Sequence, residues 1–489
     1  MQRRAELVAF ASGGLAVAGF APLEWFPLPI AALAVLLWLI ERTDRALRAS
    51  VIGFAFGLGL FLIGTSWVYV SLHDFGAMPL PLAALATFLF CAFLALFPAV
   101  ACYLYARLRH GKSLDAIIAF PAAWLLLEWT RGWIFTGFPW LAIGYSQVPL
   151  SPLAGYVPIV GVYGVSLIAV ATAALLWTAL GRRNLAAGVA LVAIVVGGYA
   201  LKQVDWTQAT GEPLEVSLLQ GDIAQDMKWR EEEVAATLQT YLDLTRQSRS
   251  RLIILPETAV PLFYHDVPRD YLDALASHAR ANYGDILIGL PERVSRTEYY
   301  NSVLSFGTAP TQTYRKSHLV PFGEYVPLHS LLGPVVAALA IPLTDFSRGA
   351  TDQQPMQVAG QRVAVDICYE DAFGEEIIRQ LPQASLLVNV SNVAWFGDSI
   401  APRQHLQISQ ARALETGRYM LRATNTGMTA IVDPHGVAIE VAPAFKRSEV
   451  TGTVRGYTGA TPYVRFGNAP AVVAMALLIA AALWRRRRI

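Results

Sequence analysis

Eight apolar segments recur along this chain and restrict its fold more than any other feature. They fall at about 6–22, 28–41, 51–72, 80–106, 114–131, 157–180, 185–201 and 469–484. A helix that crosses a bilayer needs ~20 apolar residues. Of 489 residues, 55% are hydrophobic and 15% charged. Such a chain would expose too much apolar surface in water, so a membrane is the expected solvent for much of it. The first two segments are short, with Pro22, Pro27 and Pro29 at their junction. A re-entrant hairpin is the alternative for that pair, and it leaves the later topology unchanged.

Basic residues orient the segments. Arg3 and Arg4 precede the first; Arg42, Arg45 and Arg48 follow the second; Arg107, Arg109 and Lys112 follow the fourth. Arg182 and Arg183 follow the sixth, and Arg485 to Arg488 the eighth. Every second connection is basic and is expected to face the cytoplasm. The insert of about 202–467 follows an odd-numbered segment and is expected on the opposite side, the periplasm of a bacterium. The first segment is not expected to be a cleaved signal peptide, because no clear small-x-small site ends it and more spans follow. A net charge of +2, with the basic residues at segment ends, argues against nucleic acid. "HGKS" (110–113) ends like a phosphate loop, but Ala106 replaces the first glycine and no strand precedes it.

The insert reads as a layered α/β domain. Strand-like runs stand at 216–223, 251–257, 285–292, 301–307, 362–370, 385–392 and 429–436. Helical patterns run from Glu231 to Ser248 and from His405 to Leu421. Several runs stop in polar residues: Asp222, Glu257, Asn392 and the Cys368 cluster. In open α/β sheets, sites gather at such carboxyl ends.

Cys368 ends the run "VAVDIC" (363–368). Cys91 and Cys102 are eleven residues apart on one expected helix, so ~16 Å apart, and cannot bridge each other. Cys368 is expected beyond the other face of the membrane, a lone thiol in an oxidising compartment. A buried structural cysteine is the bland alternative. A reactive thiol needs a base, a cation or both. Glu257, partly desolvated at a strand end, suits a general base; Lys316 suits the charge of a thiolate or an oxyanion. The eight histidines show no paired metal-ligand spacing.

In this order, "LPET" (255–258), "YRKSHLVPFGEYVP" (314–327) and "ICYED" (367–371) resemble the Glu–Lys–Cys signature of the nitrilase superfamily. Together with the polytopic N-terminal region and one C-terminal span, "LLEWTRGWIFTGFPW" (126–140), "NVAWFG" (392–397) and "RATNTGMTAIVDPHG" (422–436) make the chain similar to the apolipoprotein N-acyltransferase family. The resemblance covers nearly the whole chain. It implies a polytopic α-helical membrane bundle of about eight spans (1–201 and 468–489) and a nitrilase-like α/β domain, an αββα sandwich, at 202–467. It further implies a multi-pass bacterial inner-membrane protein with both termini cytoplasmic and the catalytic domain periplasmic.

The family's reaction takes an acyl chain from the sn-1 position of a phospholipid, usually phosphatidylethanolamine. The chain passes through a cysteine thioester to the N-terminal amine of a diacylglyceryl-cysteine apolipoprotein, in ping-pong order. By motif match Cys368 is the nucleophile, Glu257 the base and Lys316 the charge stabiliser, with the Tyr369 N–H as a second oxyanion donor. Glu324, Asn301, Tyr369 and Glu370 are expected to support the site, and Trp229, Trp395 and Phe396 to line the substrate route. No cofactor or metal is expected. One chain carries every part, so a monomer is expected. The broken apolar stretch 328–343 reads as an arm or lid, and Glu128 with Arg131 as a pair on one helix face, snorkelling or meeting a headgroup. The alternatives are a membrane-tethered nitrilase-type amidohydrolase, a transporter or receptor with an inactive nitrilase-like domain, and a cysteine protease using His318.

Overall fold

The computed structural model describes residues 2–109, 113–224, 231–326 and 345–486. Trp229, the stretch 328–343 and His110–Lys112 lie outside them. The chain divides into two compact units. One comprises Met1–Tyr69, Pro79–Val204 and Arg465–Ile489; the other comprises Val70–Met78 and Asp205–Val464.

The first unit is helical: α1 (Gln2–Ala16), α2 (Pro27–Ile40), α3 (Ala46–Gly64), α4 (Leu80–Leu108), α5 (Ser113–Arg131), α6 (Val157–Gly181), α7 (Leu185–Leu201) and a C-terminal helix, Ala469–Arg486. Each expected apolar segment overlaps one of them, though those of about 6–22 and 51–72 run past the ends of α1 at Ala16 and α3 at Gly64. Among the described residues, three helices are long and apolar enough to cross a membrane: Ala46–Gly64, Leu80–Leu108 and Pro152–Gly181, which is α6 with its lead-in turn. Pro27–Ile40, Leu185–Leu201 and Ala469–Trp484 are apolar but shorter.

Small residues allow α1 and α3 to meet backbone to backbone. A Cβ on Gly13 would lie 1.9 Å from the Phe56 carbonyl oxygen, and one on Gly59 2.0 Å from that of Phe10. Glu128 and Arg131 are both buried. Rather than snorkelling, they hold the backbone that follows α5: the Ile143 N–H donates to Glu128 Oε1 at 2.9 Å, and Arg131 Nη1 donates to the Trp140 carbonyl at 2.7 Å.

The second unit contains two six-stranded sheets. Its strands are β1 (Gln208–Gln220), β2 (Leu252–Ile254), β3 (Asp285–Arg293), β4 (Tyr299–Gly307), β5 (Thr313–Arg315), β6 (Met356–Val358), β7 (Gln361–Ile367), β8 (Leu386–Ser391), β9 (Met420–Thr424), β10 (Ala430–Val432), β11 (Ala438–Val441) and β12 (Ser448–Thr458). The orders are β12-β1-β2-β3-β4-β5 and β11-β10-β9-β8-β7-β6. In each sheet three strands are parallel, β1-β2-β3 and β7-β8-β9, flanked by antiparallel ones. Val216, Leu218, Ile254 and Leu287 of the first sheet pack on Val365, Ile367, Val388 and Leu421 of the second. The outer faces are covered by α8 (Glu231–Gln247) and α9 (Arg269–Ala281) on one side and α10 (Ala401–Thr416) on the other. The layers are therefore α, β, β, α.

Several expected boundaries move, two of them by many residues. The helical pattern beginning near His405 does not reach Leu421. Gly417, left-handed at φ +62°, caps α10 after Thr416, and β9 begins at Met420. Strand β1 starts at Gln208 instead of Val216 because it pairs antiparallel with β12. Strand β12 escapes the apolar pattern because much of it faces solvent.

Candidate active site

The loops leaving β2, β5, β7 and β8 bring the predicted residues together. Glu257 follows β2 by three residues, Lys316 follows β5 at once, and Cys368 follows β7 at once. Asn301 lies on β4. Lys316, only 1% exposed, donates from Nζ to Glu324 Oε1 at 2.8 Å and approaches Glu257 Oε1 at 3.5 Å. Asn301 Nδ2 donates to the same two oxygens, at 2.7 Å to Glu257 and 3.1 Å to Glu324. The Asn392 N–H donates to Glu257 Oε2 at 2.8 Å, and the Val320 N–H to Glu324 Oε2 at 2.8 Å. Both carboxylates are thus oriented at each oxygen. A side-chain ammonium and an amide lie between them.

Electrostatics follow from this packing. Burial works against the Lys316 charge, yet the Glu324 and Glu257 carboxylates outweigh it and hold the amine above the usual lysine range. Cys368 is partly exposed. Surrounding protein and the Glu257 carboxylate push its thiol above the ordinary range, while Lys316 pulls it back. Glu257, Lys316 and Glu324 thus all act on the charge of this one sulfur. The Cys368 backbone is left-handed, φ +56°, a conformation that non-glycine residues adopt rarely and that recurs where a strand hands a nucleophile to a turn.

Glu370 points into the protein and ties two loops together. Its Oε1 accepts from the Ser317 N–H (2.6 Å), the Ser317 hydroxyl (2.9 Å) and the His318 N–H (3.0 Å). Its Oε2 accepts from the Ile367 N–H (2.7 Å) and the Tyr314 hydroxyl (3.0 Å). The Lys316 and Cys368 loops are thereby set relative to each other. Tyr369 packs edge-on to Phe373, 5.1 Å between ring centroids. His318 stacks on Phe373 and turns Nδ1 to the Glu376 carboxylate at 3.2 Å.

Trp395 and Phe396 form a 3-10 turn beyond Asn392, on the loop whose N–H holds Glu257. The segment Val70–Met78, expected within the N-terminal region, groups with the second unit by packing there. Ser71 Oγ donates to the Trp395 carbonyl at 2.8 Å, and the Phe75 ring meets the Trp395 indole edge-on at 6.4 Å.

A second set of polar residues, unread in the sequence, lies behind Cys368. Asp366, Asn389 and Arg422 stand side by side across β7, β8 and β9 beneath α10, joined by Asp371, His405 and Ser409. Asn425 links the β1 and β8 loops, donating from Nδ2 to the Ile223 carbonyl (2.7 Å) and to Asn392 Oδ1 (3.2 Å). The sequence signal for the first set was one polar residue interrupting each of three apolar strands, at positions that alternation assigns to a covered face.

Comparison with known proteins matches residues 12–175 to the family described as apolipoprotein N-acyltransferase N-terminal domain, and 215–463 to carbon-nitrogen hydrolase. The apolipoprotein N-acyltransferase of Nitrosomonas europaea is 55% identical over 480 residues, covering 97% of this chain and 96% of its own. That of Chromobacterium violaceum is 44% identical over 488 residues, covering 98% and 94%. Among solved structures, a carbon-nitrogen hydrolase from Helicobacter pylori aligns with 49% of this chain and 88% of its own, at 14% identity and TM-score 0.36. An amidase from Nesterenkonia aligns with 53% and 98%, at 18% identity and TM-score 0.38. With relatives this similar along nearly its full length, and both family matches in the same order, the chain belongs to the apolipoprotein N-acyltransferase family.

Proposed function

We propose that this protein moves an acyl chain from a phospholipid to the N-terminal amine of diacylglyceryl-cysteine lipoproteins, through a thioester on Cys368. The observation that carries the reading is the buried Lys316 ammonium held between Glu257 and Glu324, acting with them on the charge of a thiol at a left-handed strand end. The relatives' names supply the acceptor.

Because the resting thiol is held protonated, its proton must leave as the sulfur attacks. Glu257 takes that proton while the Cys368 sulfur bonds to the sn-1 ester carbonyl carbon. The oxyanion is held by Lys316 Nζ and the Tyr369 N–H. Collapse breaks the carbon–oxygen bond, and Glu257 returns the proton to the departing lysophospholipid. In the second half the lipoprotein amine attacks the thioester carbon and Glu257 takes its proton. The carbon–sulfur bond then breaks, and the proton ends on the Cys368 sulfur. One intermediate shared by two substrates gives ping-pong kinetics.

The apolar helices support a membrane protein; in this reading it is multi-pass, its catalytic domain is periplasmic and lipid is supplied from the bilayer. Intact mass after incubation with phosphatidylethanolamine tests the reaction, beside a Cys368→Ala control. The expected result is a hydroxylamine-sensitive gain of one acyl chain, absent in the variant. That adduct should be discharged by a diacylglyceryl-cysteine peptide amine. Discharge to water alone would overturn the transferase reading in favour of an amidohydrolase; a folded protein that gains no adduct would overturn the thioester.

A further inference from the structure

The hydrogen bonds to the backbone of Cys368 itself do more than hold a strained residue. Its carbonyl oxygen accepts from Asn389 Nδ2 at 3.1 Å and faces His405 Nε2 at 3.2 Å. The same His405 nitrogen lies 2.8 Å from Asp371 Oδ1. A carbonyl and a carboxylate are both acceptors, so Nε2 carries the hydrogen and shares it between them. Asp371 is fixed in turn by Ser409 Oγ at 2.5 Å and Arg422 Nη1 at 3.2 Å, both on Oδ2. His405, Asp371, Ser409 and Arg422 are each 2% exposed or less. The cluster is buried between α10, β9 and the turn that follows β7.

A peptide unit is planar, and its N–H points opposite to its C=O. Holding the Cys368 oxygen from behind therefore aims the Tyr369 N–H away from the cluster. Donors on the carbonyl also polarise the amide and strengthen its N–H as a donor. We propose that His405 is a positioning residue: through the Cys368 carbonyl, and with Asn389, it aims and polarises the Tyr369 N–H as the backbone half of the oxyanion hole. Asp371, Ser409 and Arg422 hold the imidazole in the tautomer and orientation this requires. The inference rests on the reading above, in which Cys368 attacks an acyl carbon.

Two reactions of the same sulfur separate this role from a structural one. Alkylation by iodoacetamide forms no oxyanion, whereas acylation by an ester does. His405→Gln keeps an N–H donor near the Nε2 position; His405→Met is close in length but has none. The full-length detergent-solubilised protein is assayed for both reactions, with phosphatidylethanolamine and with a p-nitrophenyl acyl ester as acyl donors. His405→Met is expected to lose about tenfold to a hundredfold in acylation by either donor, with apparent KM little changed. Its alkylation rate should stay within about threefold of wild type, and His405→Gln should recover most of the acylation. Should His405→Met not fold, Ser409→Ala, which only slackens Asp371, is expected to show the same one-sided loss at smaller size.

Equal losses in both reactions, or a His405→Gln variant no better than His405→Met, would overturn the proposal. Failure of the phospholipid reading looks different: wild type would then react with the activated ester but not with phosphatidylethanolamine, and the ester would still report on His405.

Discussion

Cys368 is an acid whose charge is contested by its neighbours, and this makes single substitutions informative. Burial and the Glu257 carboxylate raise the thiol; Lys316 lowers it. Removing the Glu257 charge therefore raises the thiolate fraction at a fixed pH, and removing the Lys316 charge reduces it. Iodoacetamide reads that fraction directly. Glu257→Gln is expected to alkylate several-fold faster than wild type at pH 8, and Lys316→Met several-fold slower. Acylation by phospholipid should fall in both, by about 10²–10⁴ for Glu257→Gln, the usual worth of a general base. Opposite movements in Glu257→Gln mark a base that works during attack and does not pre-form the thiolate. Acylation retained in that variant, or alkylation falling with it, would remove Glu257 from the role. Asn301 belongs to the same argument. It bridges Glu257 and Glu324, so it sets where the base points without titrating itself.

At the level of strands and helices, the polar row beneath α10 is the unusual part. Asp366 is 2% exposed, accepts from Asn389 and has Asp371 as a close neighbour. Burial and the Asp371 charge push its carboxyl well above the usual range. Asp371 itself goes the other way: burial opposes its charge, but His405 and Arg422 outweigh it. A carboxyl raised in the folded state contributes stability that is fully present below its unfolded value, ~3.9, and is lost as pH rises through the folded value. Asp366→Asn keeps an oxygen for Asn389 and cannot ionise. It should therefore stabilise the protein by about 1–3 kcal/mol at neutral pH, the gain shrinking as pH falls toward 4. Thermal unfolding across that range checks the slope; a gain that grows on acidification would refute the assignment. Little of this row was legible beforehand, because pattern reading treats a polar residue inside an apolar strand as an interruption. The strand ends carrying Glu257 and Cys368 were legible because apolar runs stop there in chemically distinctive residues; Lys316 was read from its motif alone, since β5 is three residues long and carries no apolar run. The inward turn of Glu370 was not legible, since its five donors come from β5, the loop after it and the end of β7, which only folding brings together. Strand β12 escaped for a related reason: its partner, β1, lies over two hundred residues earlier in the chain.

Across the whole molecule, the question is which side of the bilayer each part occupies. The helical unit presents stripes that water would not tolerate: Leu85, Leu89 and Leu96 along α4, and Val189, Val192 and Val196 along α7, each about half exposed or more. Apolar solvent around these faces removes the conflict. Three of the basic connections also converge within this unit. Arg182 Nη2 meets Glu41 Oε2 at 2.5 Å, Arg109 Nη1 meets Glu41 Oε1 at 3.3 Å, and Arg109 Nη1 donates to the Ile40 carbonyl at 2.8 Å. The ends of α2, α4 and α6 thus come together around one carboxylate. Where each helix crosses, an even number of crossings separates those ends; they are then expected on one side, and their arginines on the cytoplasmic one. On the same expectation, the chain between α7 and the C-terminal helix leaves after one more crossing, on the periplasmic side. Single cysteines at Asp44, between α2 and α3, and at Glu440, on β11, test this with a membrane-impermeant maleimide in cells whose outer membrane alone is permeabilised. Glu440→Cys is expected to label at once and Asp44→Cys only after lysis. If both label at once, α3 to α7 make an even number of crossings, and one of the shorter helices, α7 foremost at 17 residues, does not cross. The catalytic unit would then share a side with the basic connections, and its lone thiol would face a reducing compartment instead of an oxidising one.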